Sequence, residues 1–410
     1  MSIVGLVSGF VLALLGSAVA KSPLDERGID LSGSWQVRLD PSHRFDPASS
    51  ITTVPSDPLP AFVPVDLPGA LRDSGLGDPV GPDTTWIGEE RASVLKSSRF
   101  QTYTQPGNFK SPFWLQPDRH YVGLAWYQRK IDIPSTWVGT RILLHLERPH
   151  WISQVFIDGQ RVGTDDSLGT PHQYDITSLA SSGSHTLSIG IDNSLTTTNV
   201  GKNAHSVTDH TQTAWHGIVG DIKLLSRPML SVLRSQVVDR KNEKQCDVNL
   251  VFNNSLASSQ PVTVNYRIHQ DSKLIAQASI DHVIESGPSI NVNATIPWKT
   301  LPRRWDEFDP AMCQLTVDVV HPSSRHPWEY TCDFGIRHLN VADHQFVLND
   351  RPIFLRGTLE SCVFPISGYP PTDLDAWIRI MRICKQHGLN HIRFHSWCPP
   401  DSAFVAADRA

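Results

Sequence analysis

The chain has 410 residues, too many for one hydrophobic core, so two to four domains are expected. Hydrophobic residues make up 40% and charged residues 19%, a globular composition that excludes a disordered chain. The net charge of −5 excludes a basic nucleic-acid surface.

Residues 3–20 form one uncharged apolar run ending in Ala18-Val19-Ala20, a small-x-small cleavage pattern. This reads as a secretory leader occupying 1–20, with an uncleaved anchor as the alternative. A cleaved leader places the mature chain outside the cytoplasm, secreted or periplasmic, and off the membrane. No later run is long and apolar enough to span a bilayer.

Residues 30 to about 226 read as β. Ile142–Leu146 is a strand, and Val155–Ile157 runs into Asp158-Gly159, a hairpin dipeptide, before Arg161-Val162. His185–Ile191 alternates with period two. Turn signals recur at the spacing of a sandwich, so 21–227 is expected to be one. The Pro-, Gly- and Ser-rich stretch from about 75 to 120 is expected to be a long loop insertion.

Residues 228–337 alternate more cleanly. Val248, Leu250 and Phe252 share a face, as do Val262, Val264, Tyr266 and Ile268, then Leu315, Val317 and Val319, then Tyr330, Cys332 and Phe334. With the runs at 231–238, 274–280 and 291–296 this predicts seven strands, the size of an immunoglobulin-like sandwich. All six cysteines lie from Cys246 onward, at Cys313, Cys332, Cys362, Cys384 and Cys398, and none forms a CxxC pair, which excludes a zinc knuckle. Buried free thiols, or a bond from Cys246 to Cys313 or Cys332, both fit.

From 338 to 410 the period changes. Pro352–Leu355 reads as a short strand. Leu374, Trp377, Ile378, Met381 and Cys384 form one helical stripe, capped by Thr372 and ended by Gly388. Leu389–His395 is the next strand, and Ser402–Arg409 the next helix. Alternating β and α implies a parallel sheet. His391, Arg393 and His395 point to one side of their strand, Ile392 and Phe394 to the other. Asn390 breaks this parity, which predicts a local irregularity.

Several motifs stand in one order along the chain. They are Leu31-Ser-Gly-Ser-Trp35, Leu67-Pro-Gly69, Gly123-Leu-Ala-Trp126-Tyr127-Gln-Arg129, Trp215-His-Gly217-Ile218-Val-Gly220, Phe334-Gly-Ile-Arg337, Asn349-Asp-Arg-Pro352-Ile-Phe-Leu-Arg356-Gly357 and Gly388-Leu-Asn390-His-Ile392-Arg393. In that order they resemble glycoside hydrolase family 2. The resemblance implies a multidomain, mainly β chain: a jelly-roll-like sugar-binding sandwich, an immunoglobulin-like sandwich, then the start of a (β/α)8 TIM barrel with about two β/α units. Two departures separate it from galactosidase-like members. Thr358-Leu359-Glu360-Ser361 stands where those members have Asn and His-Glu, and Phe394–Pro400 stands where they tend to have Ser-His-Tyr-Pro.

The resemblance further implies a retaining hydrolase of β-linked sugars. That reaction uses two carboxylates about 5 Å apart, which the family carries on the fourth and seventh barrel strands. A whole barrel takes roughly 250 residues, and 338–410 supplies 73. Both glutamates are therefore expected beyond Ala410, with no catalytic residue in this chain and the chain alone inactive. Glu360 and Asp401 are the nearby carboxylates. Glu360 reads as a pocket or loop residue and Asp401 as a helix cap. In the family the Arg matching Arg393 lies beside the nucleophile and holds it ionised. Arg393, His395, Trp397 and Glu360 are thus the expected substrate-pocket residues. No organic cofactor is implied; a structural cation fits the family, but no carboxylate cluster marks its place. GxSxG, HExxH and Gly-rich phosphate loops are absent from the sequence. The rival reading is a non-catalytic secreted carbohydrate-binding or adhesion protein built of β-sandwiches, which would have no use for the barrel-strand motifs.

Overall fold

The computed structural model describes residues 28–43, 61–105, 107–110, 117–195, 200–209, 214–321 and 328–410. The expected leader at 1–20 lies outside the described residues, and no described helix is long and apolar enough to cross a membrane.

The first sandwich packs two antiparallel sheets. The larger orders its strands 160–165, 152–157, 183–192, 124–133, 33–40 and 63–67; the smaller orders 28–30, 222–227, 141–146 and 172–175. Alternation explains the core between them: Leu187, Ile189 and Ile191 share one face of their strand and are fully buried, with Trp35, Tyr127 and Leu144. Gly190, on the opposite face, leaves room for Trp126. Asp158 and Gly159 both have positive φ, 47° and 79°, so the expected hairpin forms with its two-residue turn. Asp158 also accepts hydrogen bonds from the Thr186 amide and His185.

A small third sheet, 69–70, 217–218 and 149–150, closes the edge of this sandwich. Gly217 has φ +147°, and a Cβ there would lie 2.3 Å from the Gly69 carbonyl oxygen. Backbone on both sides leaves nothing soft to yield. Gly217→Ala is expected to cost about 3 kcal/mol or more, read as a lower urea midpoint; an unchanged midpoint would show that this closure contributes nothing to stability.

The 75–120 insertion is not simply a loop. Asp78–Pro79 pairs with Arg119–His120, and Glu89–Lys96 is a helix followed by a 3-10 turn, Ser98–Tyr103. The helix has little amphipathic pattern to betray it. Its entry is held from afar: the Asp209 carboxylate accepts from the Ile87 and Gly88 amides at 2.6 and 2.9 Å.

The second sandwich has the seven expected strands. Strands 230–240, 245–254 and 287–297 face 273–284, 260–270, 312–320 and 328–335. Cys246, Cys313 and Cys332 are buried in its core among Val248, Tyr266, Leu315 and Tyr330, and all six cysteines are free thiols.

Beyond it, Gly357–Glu360 pairs in parallel with His391–Phe394 across the helix Leu374–Gln386, and the helix Asp401–Arg409 follows. These two β/α units are the start of a barrel, as the fold class required. Three local expectations are corrected. Of the run Pro352–Leu355 only Pro352 is strand, in the two-residue strand Arg351–Pro352 that pairs antiparallel with 345–348, itself paired with 339–342. The Asn390 side chain replaces a ladder beyond it, donating to the Phe354 carbonyl and accepting from the Arg356 amide. Asn390 is thus the irregularity its parity predicted, and Phe354 is left 76% exposed. Asp373, not Thr372, caps the first helix by accepting from the Ala376 amide; Thr372 donates to the Val219 carbonyl instead. Asp401 is the first residue of its helix rather than its cap, a place Pro400 takes. Gly388, with φ +75°, follows the first helix as expected.

Candidate active site at the ends of the parallel strands

The period-2 alternation of the second parallel strand divides its side chains. Ile392 and Phe394 pack on the helices, in a cluster with Trp377, Met381, Ala403 and Ala406. Arg393 is exposed on the opposite face, beside Leu359, its register partner. Leu359 is itself 52% exposed.

Glu360 ends the first strand in register with Phe394, so it does not share a face with Arg393. Its side chain turns into the following loop, where Oε1 accepts from the Val363 amide at 3.3 Å and the buried Oε2 makes no hydrogen bond. Burial raises its pKa above the ordinary carboxylate value, against the pull of the loop amides. Its carbonyl accepts from the His395 amide and from Trp397 Nε1. Glu360, His395 and Trp397 are thereby brought together, and Arg393 stands apart on the open face.

Trp397 is half-buried, with its ring against Phe364, Trp377 and Phe394 at centroid distances of 5.5 to 6.4 Å. It joins the site to the helix-side core. His395 turns toward the first sandwich, its ring 4.6 Å from that of His205. The Ser206 amide donates to the Ser396 carbonyl at 3.1 Å, so the segment 200–209 lies along the loop that follows the second strand.

A second strap is Arg148, buried, with φ +57°. It donates to the Cys398 carbonyl at 3.0 Å and the Leu168 carbonyl at 3.4 Å, and pairs with Glu147 at 3.6 Å. Cys398 packs closely on Gly169, where a Cβ would lie 3.1 Å from the Cys398 Cβ. Burial lifts Glu147 to about 7 despite Arg148, and lifts Asp401 as well. Sequence reasoning did not single out His205, Arg148 or Glu147. No local motif surrounds them, and Arg148 meets Cys398 across 250 residues of chain. No cluster of three or more His, Cys, Asp or Glu able to hold a metal occurs among the described residues.

Residues 69–228 match the family model described as "Glycosyl hydrolases family 2, sugar binding domain". The β-galactosidase of Priestia megaterium (strain DSM 319 / IMG 1521) is 20% identical over 292 residues, covering 69% of this chain and 27% of that protein. The β-glucuronidase of Chlorocebus aethiops is 23% identical over 269 residues, covering 58% and 39%. Among solved structures, Parabacteroides merdae β-glucuronidase aligns with a TM-score of 0.67 at 20% identity, over 93% of this chain and 44% of that one. A family 2 glycosyl hydrolase from Bacteroides cellulosilyticus DSM 14838 aligns at 0.65 and 16%, over 93% and 46%. The chain therefore spans less than half the length of these proteins. Residues 69–228 are thus similar to the sugar-binding domain of glycosyl hydrolases family 2, and the chain has the fold of a portion of these solved enzymes.

Proposed function

We propose that the chain is the substrate-binding and barrel-founding part of a secreted, retaining β-glycosidase that degrades oligo- or polysaccharides. One observation carries this reading: two parallel strands joined by a helix, with a sandwich segment laid along the loop at their C-terminal ends. That end of a β/α barrel is where its chemistry is built, and a pure binding module needs no such unit. Arg393, His395, Trp397 and Glu360 form part of the pocket wall, and His205 extends it from the sandwich. The acid/base and nucleophile carboxylates come from later barrel strands, beyond Ala410. The sandwich holds the sugar, and the chemistry needs no organic cofactor. The relatives are β-galactosidases and β-glucuronidases by name, which supports a β-linked glycoside as the substrate class.

Residues 1–410 alone are expected to turn over no aryl β-galactoside, glucuronide, mannoside or glucoside, whereas the product of the extended reading frame hydrolyses one of them with retention at the anomeric carbon. Proton NMR of the first-formed sugar reads the stereochemistry. Hydrolysis by 1–410 that Glu360→Gln abolishes would overturn the division of labour. Inversion by the full-length enzyme would overturn the mechanism.

A further inference from the structure

The chain holds two Asn-x-Ser/Thr sequences, Asn253-Asn254-Ser255 and Asn293-Ala294-Thr295, and the second sandwich gives them opposite surroundings. Asn253 is buried, 3% exposed. Its amide donates to the Met229 carbonyl and to the Ser255 hydroxyl. A glycan on that nitrogen would replace one of its two hydrogens, remove at least one of these bonds and force a polar group through packed backbone.

Asn293 lies mid-strand on Gly287–Pro297. Val292, Ala294 and Ile296 face the core, so Asn291, Asn293 and Thr295 face out, and all three are exposed. The neighbouring strand continues this polar face with Asn249, the register partner of Asn293, and Asp247, which accepts from the Thr295 hydroxyl at 2.7 Å. The strand is also the edge of its three-stranded sheet. Contacts to the barrel start are made elsewhere, from the end of the sandwich that carries Asp239, Trp305 and Asp333.

We infer that Asn293 is an N-glycan acceptor and that Asn253 is not. The inference rests on the secretory part of the proposed function and not on the hydrolase. The co-reactant is an oligosaccharide on a polyprenyl pyrophosphate, met in the secretory pathway. A bond forms between Asn293 Nδ2 and C1 of the first sugar, the C1–O bond to the pyrophosphate breaks, the amide gives up one proton, and the lipid pyrophosphate leaves. No oxidation or reduction occurs. Transfer precedes folding, so both sequences meet the transferase, and the fold decides which product survives. A sugar on Asn293 stands in solvent and covers an edge strand that could otherwise pair with another chain.

The test is secretion of the chain from a eukaryotic host, once with its own residues 1–20 and once with 21–410 behind a host leader. Amidase deglycosylation, which converts a glycosylated Asn to Asp, and peptide mass mapping then read each site. The folded, secreted protein is expected to carry glycan at Asn293 and none at Asn253, and Asn293→Gln is expected to lose the whole amidase-sensitive mass shift. A host-leader product bare at Asn293, or carrying glycan at Asn253, overturns the inference. Glycan at Asn293 with the host leader but no secretion with residues 1–20 upholds the site and sinks the secretory reading instead.

Discussion

Glu147→Gln is expected to stabilise the chain at pH 8 by about 3 kcal/mol and at pH 5 by only about 1. Burial raises the Glu147 carboxyl from 4.5 to about 7, and Arg148 at 3.6 Å offsets only part of that. A carboxyl raised on folding favours the folded state when protonated. Its stability is full below pH 4.5 and is lost as pH rises through 7. At pH 8 the wild-type chain therefore holds a buried carboxylate whose Oε1 makes no hydrogen bond. Glutamine removes that charge, and most of the gain vanishes where the glutamate would have protonated anyway.

Buried histidines push the other way. His145 and His216 are lowered by burial from 6.5 to about 4. Both have a neutral form that the structure satisfies: His216 Nε2 donates to the Gly123 and Ile191 carbonyls while Nδ1 accepts from Tyr127, and His145 Nδ1 accepts from Gln173. Their stability is full above pH 6.5 and is lost as pH falls through 4. At pH 5 each has lost about 2 kcal/mol. His150 is lowered to about 4 as well, but both its nitrogens face carbonyls, which favours its proton, so the effect falls chiefly on the other two. In the wild type the glutamate offsets more than half of the histidine loss between pH 8 and 5. In the glutamine variant it does not, and stability falls by about 4 kcal/mol over that range. Urea midpoints followed by tryptophan fluorescence at pH 8, 6.5 and 5 measure this. Parallel pH curves for the two proteins would sink the assignment of Glu147, and His145→Gln added to the glutamine variant should halve that variant's acid loss.

Where a pattern repeats within ten residues, the sequence was enough. The seven strands of 228–337 and the stripe from Leu374 to Cys384 are local periodicities, and each forms as read. The Asp158-Gly159 turn was legible because few residues accept positive φ at two successive positions. What escaped was set by distant partners. The helix Glu89–Lys96 depends on the carboxylate of Asp209, more than 100 residues away. The apolar run after Pro352 is kept from extending a strand by the Asn390 side chain. The same holds at the site: the parity of Ile392 and Phe394 could be counted, whereas the approach of His205 to His395 exists only once sandwich and barrel meet.

Arg393→Ala in the full-length enzyme is expected to lower kcat by about a hundredfold with KM little changed, the size of effect seen when one preorganised charge partner is removed. This rests on the proposed function. The side chain is exposed on the open face of the parallel pair, the side on which the remaining strands would close a barrel, and Leu359 is its register partner. The packing of this strand is carried by Ile392 and Phe394, on the other side. Truncating Arg393 therefore removes charge without touching that cluster, and circular dichroism should be unchanged. A guanidinium beside the nucleophile favours its ionised form, so removing it raises the carboxylate's pKa. The acid limb of kcat/KM should move to higher pH, a shift that a purely structural arginine would not cause. Arg393→Lys keeps the charge and should restore the limb while recovering only part of kcat, because an ammonium lacks the planar fork. Wild-type kcat in a folded Arg393→Ala protein, with the acid limb in place, would make the residue a solvated charge on a strand and remove it from the pocket.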